Sequence, residues 1–149
     1  VAADAEELKR QARLFYREAK LPAQKNTALS LLAVSHCLDW SSPSYKDRLV
    51  DAVGLISLAG EGGEETLFGQ VARSFVMAKA GLVHQSEQII QFLKTEKDNT
   101  ANVHLMKAMT LDVLRQYNDN YVRHLNKTVE KKANSQRARW MKGMWNLSI

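Results

Sequence analysis

The sequence predicts an all-α protein, arranged as a compact bundle of five to six helices with a long basic helix at its C-terminal end. Two observations carry this prediction. Apolar residues recur at intervals of three and four along almost the whole chain, which is the period of an amphipathic helix. No segment alternates apolar and polar residues with the period of two that a half-buried strand requires.

The first half of the chain predicts three helices. The first carries Leu8, Ala12 and Phe15 on one inward face and ends before the next proline. A second helix is expected from about residue 23 to 38, through the apolar run ALSLLAVSHCL. A third begins near Pro43, because proline is tolerated in the first turn of a helix, and it ends at the glycine-rich stretch GEGG.

The second half predicts two further helices of ordinary length and one long helix. The first of these carries Val71 and Phe75 inward, and Gly81 suits the left-handed position that ends a helix. Another helix is expected from about residue 82 to 94. From Ala101 onward a single long helix is expected, since neither glycine nor proline occurs before residue 143.

The spacing of the helix starts leaves a second architecture open. Three helical hairpins could follow one another at about 40 residues each and form a short α-solenoid. No residue signature repeats at that period, so the bundle is the favoured prediction. At 149 residues the chain fits one helical domain over 1–130, with 131–149 as a basic, tryptophan-containing extension of the last helix.

Charge is concentrated at the C-terminal end. From Arg123 onward the chain has seven lysines and arginines and one acid, a net charge of +6, whereas the earlier residues hold fourteen bases and fifteen acids. As a helix this end places Trp140 on an apolar stripe that cations flank. The residues predicted to contact a partner or nucleic acid are Arg123, Lys127, Lys131, Lys132, Arg137, Arg139, Trp140, Lys142 and Trp145.

Four interpretations of this end remain open. RNA or DNA would be held by phosphate contacts from the cations, with Trp140 or Trp145 stacking on unpaired bases. Another protein would receive the apolar stripe in a groove, and an anionic membrane surface, which is less favoured, would accept the tryptophans at its interface. In the fourth interpretation the end has no partner, and both tryptophans pack on the body of the protein while the cations face water.

No catalytic, cofactor-binding or metal-binding residue is predicted. The four histidines match no familiar ligand motif with another His, Cys or Glu, and the glycines of GEGGEE lack the strand and the Gly-Lys-Ser/Thr of a phosphate loop. Cys37 is the only cysteine, lies in an apolar run and is expected to be buried, which favours a reducing intracellular compartment. No apolar run approaches the ~20 residues needed to span a bilayer.

We therefore expect a non-catalytic assembly, adaptor or scaffold protein that acts through contacts with another protein or with itself. The first alternative is a nucleic-acid-binding protein, of a nucleoprotein or packaging kind, that uses the basic end. The second alternative is an enzyme whose site is assembled only in three dimensions.

Overall fold

A computed structural model gives the fold of the chain and describes residues 2–39, 42–61, 65–93, 101–117 and 119–131. Within these ranges the chain forms seven α-helices and no strand, so the all-α prediction is confirmed. The helices are α1 (Ala2–Glu18), α2 (Pro22–Cys37), α3 (Tyr45–Glu61), α4 (Leu67–Lys79), α5 (Val83–Leu93), α6 (Ala101–Val113) and α7 (Asp119–Lys131).

Helix α4 lies at the centre of the packing. Its main contacts are with α2, α3, α5 and α6, whereas α1 packs mainly on α2 and α7 mainly on α6. Val71, Phe75 and Val76 on α4 are fully buried in the core, as the apolar spacing predicts for the first two. Burial of such side chains is the main favourable term in folding, so α4 holds most of the other helices in place.

Helices α2 and α4 approach closely at Gly69. The Asn26 side chain donates to the Ala59 carbonyl at 3.0 Å and accepts from the Thr66 hydroxyl at 3.3 Å. The Thr66 hydroxyl caps α4 by accepting from the Gly69 backbone N–H at 3.0 Å. Asn26 thus joins α2 to the end of α3 and the start of α4, in a space that only a glycine at position 69 leaves open.

Gly81 ends α4 as predicted. Its φ is +85°, the Leu82 N–H donates to the Met77 carbonyl at 2.8 Å, and the Gly81 N–H donates to the Ala78 carbonyl at 3.1 Å. These are the two hydrogen bonds of the Schellman motif, which satisfies the last carbonyls of a helix.

The single long helix expected from Ala101 is wrong, because the chain turns after Val113 and begins α7 at Asp119. The turn is a second Schellman motif in which Arg115 takes the left-handed position with φ 57°. The Gln116 N–H donates to the Leu111 carbonyl at 2.9 Å, and the Arg115 N–H donates to the Asp112 carbonyl at 3.1 Å. An arginine gives no sequence signal for this conformation, so the described residues hold one helix more than expected.

Replacing Arg115 with glycine is expected to raise the free energy of unfolding by about 0.5–1 kcal/mol, since glycine adopts positive φ without the steric cost that a Cβ carries. The matched change Gly81→Ala is expected to lower it by about 1 kcal/mol for the same reason. Urea denaturation followed by circular dichroism measures both. Equal effects of the same sign from the two variants would contradict this account of the turns.

Candidate functional site

The structure describes only part of the basic end. Arg123 and Lys127 are exposed on α7, and the Lys127 ammonium lies 3.5 Å from the Glu130 carboxylate. Lys131 is the last residue of α7. The other predicted contact residues lie outside the described residues, and their role stays a prediction: Lys132, Arg137, Arg139, Trp140, Lys142 and Trp145.

A buried histidine pair lies between α6 and α7 and was missed by the sequence analysis. The Nδ1 atoms of His104 and His124 are 3.0 Å apart, and both side chains are buried. The Arg123 guanidinium lies 3.5 Å from the Nε2 atom of His124, and arginine can only donate. A neutral histidine carries one ring N–H, so in the neutral pair one Nδ1 atom donates and the other accepts. The turn at Arg115, which the sequence does not signal, brings these residues, twenty apart in the chain, face to face.

Near this pair, α5, α6 and α7 enclose a cavity of about 140 Å³. Lys107 is fully buried beside it and donates from Nζ to the Leu93 carbonyl at 2.9 Å, which ties α6 to the end of α5. The described residues contain no group of three or more His, Cys, Asp or Glu side chains that could hold a metal ion. The histidine pair and Lys107 together join three helices, since the pair links α6 to α7 and Lys107 links α6 to the end of α5.

Cys37 is fully buried, as the sequence predicts. Burial raises the pKa of its thiol to about 12, with a smaller opposing effect from the Lys79 cation. The thiolate, which is the nucleophilic form, is therefore absent at neutral pH, and Cys37 serves as a small apolar core residue.

His36 is expected to make the protein less stable in weak acid. Burial, followed by the Lys9 and Arg48 cations, lowers its pKa, against a smaller opposing effect of Asp51. Its Nδ1 atom has no hydrogen-bond partner in the described structure. The unfolded chain, with a histidine pKa of about 6.5, thus takes up a proton more readily than the folded chain. The stability that His36 contributes is present above that pH and falls as the pH drops below it.

The measurement is urea denaturation of the wild type and His36→Leu at pH 7.5 and 5.5. Leucine cannot take up a proton, so the stability of the variant relative to wild type is expected to rise at the lower pH. Parallel loss of stability in both proteins would contradict this assignment.

The most unusual surface lies at the C-terminal half of α1. Leu14, Phe15 and Tyr16 are exposed to 38%, 39% and 44%, and Leu21 after them to 60%. Successive residues of a helix are about 100° apart, so three in a row cannot all face α2. The small residues Ala5 and Ala12 face the core instead. The inward position expected for Phe15 is therefore wrong.

Two grooves flank the connection between α1 and α2. The first, of about 450 Å³, we call the Phe15 groove; it is lined by Gln11, Leu14, Phe15, Glu18, Ala19 and Gln24. The second, of about 290 Å³, we call the Leu58 groove; it is lined by Tyr16, Lys20, Pro22, Lys25, Asn26, Leu29, Leu58 and Ala59. Leu58 on α3 is itself half exposed, so the apolar surface continues from α1 across to α3.

Two cations, Lys20 and Lys25, line the Leu58 groove, whereas Glu18 is the charged residue among those that line the Phe15 groove. Arg13, Arg17, Lys20 and Lys25 are all exposed, and none of them forms an ion pair among the described residues. Glu18 is the one acid in the sequence between the first and last of these four. We call this surface the α1–α2 edge; it comprises the side chains of Arg13, Leu14, Phe15, Tyr16, Arg17, Lys20, Leu21, Lys25 and Leu58.

By contrast, the cations nearer the start of α1 are paired. Lys9 is buried and lies 2.9 Å from the Asp39 carboxylate and 3.3 Å from that of Glu6, and Arg10 is bonded to Glu7. Lys9 thereby fastens α1 to the end of α2. Ion pairs therefore fix the first half of α1 in place, whereas the cations of its second half face solvent.

Comparison with models of protein families, with curated proteins and with solved structures found no match in any of the three. Among the described helices, none has both the length and the apolar character needed to cross a membrane. The surfaces of the chain are therefore the evidence for its function, and among the described residues the α1–α2 edge exposes the largest run of apolar side chains.

Proposed function

We propose that the protein is a non-catalytic assembly or adaptor protein that binds another protein through the α1–α2 edge. The observation that carries this proposal is the run of large apolar side chains left exposed at Leu14, Phe15, Tyr16 and Leu21. Single exposed apolar residues are common, but contiguous ones next to a concave surface are typical of interaction sites.

Energetics favour a protein partner for this surface. Burying a large apolar side chain is worth about 1.5–3 kcal/mol relative to leaving it in water. Phe15 and Tyr16 also offer rigid aromatic surface, the type of residue most often found where binding energy is concentrated. The exposed parts of these side chains, together with the apolar side chains of a partner that bury against them, offset part of the entropy lost on association.

The helix packing supports a role in assembly. The main contacts run from α2 to α4 and from α4 to α6, while α3, α5 and α7 each pack on the helix before them. This packing supports the bundle-like arrangement that the sequence favours over the α-solenoid. The outer helix faces of such a bundle are the surfaces that it presents to partner proteins.

Photocrosslinking tests the proposal. A photoreactive phenylalanine analogue placed at Tyr16 is expected to form an adduct with a discrete partner in the cells that make the protein, and Leu14→Glu together with Leu21→Glu is expected to abolish that adduct. The matched control carries the analogue at Val50, which is 71% exposed on α3 and lies outside both grooves. Equal adducts at the two positions, or none at Tyr16, would count against the proposal.

Nucleic-acid binding by the basic end is the second candidate. Arg123 is exposed on α7 and forms no ion pair among the described residues, so its guanidinium is available for a phosphate. Salt-sensitive retention of RNA on filters is expected, with loss on charge reversal at Arg137 and Arg139. Lack of retention even in low salt would eliminate this candidate.

A further inference from the structure

We infer that the α1–α2 edge receives an acidic amphipathic helix of the partner protein. This inference rests on the proposed function and adds the chemistry of the partner. Apolar side chains of that helix occupy the Phe15 and Leu58 grooves, and its Asp and Glu residues lie against the four unpaired cations of the edge.

Charge is the first step of the argument. Arg13, Arg17, Lys20 and Lys25 are exposed cations with one acid, Glu18, among them in the sequence, and none of the four forms an ion pair within the described structure. A basic partner would add repulsion at each of these positions, whereas carboxylates would complement them and steer the encounter. The edge therefore selects for negative charge.

The shape of the edge is the second step. The grooves lie on the two sides of the α1–α2 connection, and both are lined by helical side chains. The described chain has no strand whose edge could add a further strand, so an extended peptide has no backbone ladder to join. A helix with apolar residues three and four positions apart fits instead, because such residues project from one face.

The position of the lysines is the third step. Lys20 and Lys25 line the Leu58 groove itself, together with Tyr16, Leu29 and Leu58. A leucine-like side chain entering this groove therefore brings its helix next to two lysines. An acidic residue one turn away from that side chain meets them directly.

The same features disfavour two other anionic partners. Nucleic acid would use the cations and stack on Phe15 or Tyr16, but it has no group that matches the aliphatic Leu14, Leu21 and Leu58. An anionic bilayer would accept apolar and basic residues alike, but its broad surface cannot enter two separate concave grooves. A protein helix meets both requirements.

Binding of designed helical peptides tests the inference. Three fluorescent peptides of about five turns share one apolar face and carry Glu, Gln or Lys on the polar face. The Glu peptide is expected to bind the full chain about tenfold more tightly than the Lys peptide, with affinity that falls several-fold between about 50 and about 300 mM salt. Lys20→Glu with Lys25→Glu is expected to reverse the preference between the Glu and Lys peptides.

The matched control is Lys46→Glu, an exposed lysine on α3 outside the grooves, which is expected to leave all three affinities unchanged. Equal binding of the Gln or Lys peptide by the wild type would overturn the acidic partner. So would tighter binding to a single-stranded RNA or to anionic vesicles than to the Glu peptide. If the peptides show no preference for Glu but the Tyr16 photoadduct still forms, the acidic partner is wrong and the proposed function stands. Loss of the photoadduct would count against the proposed function itself.

Discussion

Replacing Phe75 with alanine is expected to lower the free energy of unfolding by about 4 kcal/mol, within the usual range for removing a buried phenylalanine. Its side chain is 1% exposed, and α4, which carries it, contacts four other helices. Truncation leaves a cavity that only a concerted shift of several helices could close. The surrounding structure therefore relaxes little. Urea denaturation followed by circular dichroism gives the change.

The control for this prediction is Phe15→Ala on the α1–α2 edge. Phe15 is 39% exposed, so its loss is expected to cost about 1–2 kcal/mol, well below the loss at Phe75. Photocrosslinking from Tyr16 is expected to weaken in the same variant while the fold is kept. Comparable destabilisation by the two substitutions would show that Phe15 belongs to the core and would remove the basis of the edge.

Gly69→Ala is expected to cost about 2–3 kcal/mol, the upper part of the range for overpacking a filled site. A Cβ at this position would lie 2.3 Å from the Asn26 Oδ1 atom, 3.1 Å from the Thr66 Oγ1 atom and 3.3 Å from the Ser30 Oγ atom. Asn26 cannot yield without losing its hydrogen bond to the Ala59 carbonyl, so α2, α3 and α4 are all disturbed.

Two comparisons make the Gly69 prediction specific. Gly54 on α3 has no atom within 4 Å of its Cβ position, so Gly54→Ala is expected to raise stability by about 0.5–1 kcal/mol through helix propensity. Asn26→Ala removes the atom that the new Cβ meets, so the double variant Asn26→Ala/Gly69→Ala is expected to lose less than the sum of its single changes. If the double variant lost the full sum of the two single changes in stability, the predicted contact between Asn26 and a Cβ at position 69 would be contradicted.

Much of the helical pattern was predictable because it follows from local chemistry. The spacing of Val71 and Phe75 identified the buried face of α4, and Gly81 identified the end of that helix. The turn at Arg115 was not predictable in this way. It depends on hydrogen bonds from two successive N–H groups to the end of α6, and those bonds hold an arginine in a conformation that its own preferences disfavour.

The candidate site shows a similar division. The charge counts indicate the basic end as a binding surface. Of the contact residues predicted there, the structure describes Arg123, Lys127 and the backbone of Lys131. The spacing of Leu8, Ala12 and Phe15 does not predict the α1–α2 edge, because these residues fit a single helical stripe. That stripe places the Phe15 side chain in the core. Three consecutive large apolar residues were the available signal, since one stripe cannot hold them all.

The packing of α1 has a consequence for how the molecule opens. This helix is attached mainly through α2, whereas α4 is enclosed by four neighbours. The free energy of a local opening follows the contacts that it breaks, so the amide hydrogens of α1 are expected to exchange with solvent through detachment of that helix, and those of α4 through global unfolding. A partner helix bound across both grooves, as proposed, would touch α1 and α2 together. It would therefore raise the free energy of opening α1 and slow exchange of the amide hydrogens in that helix.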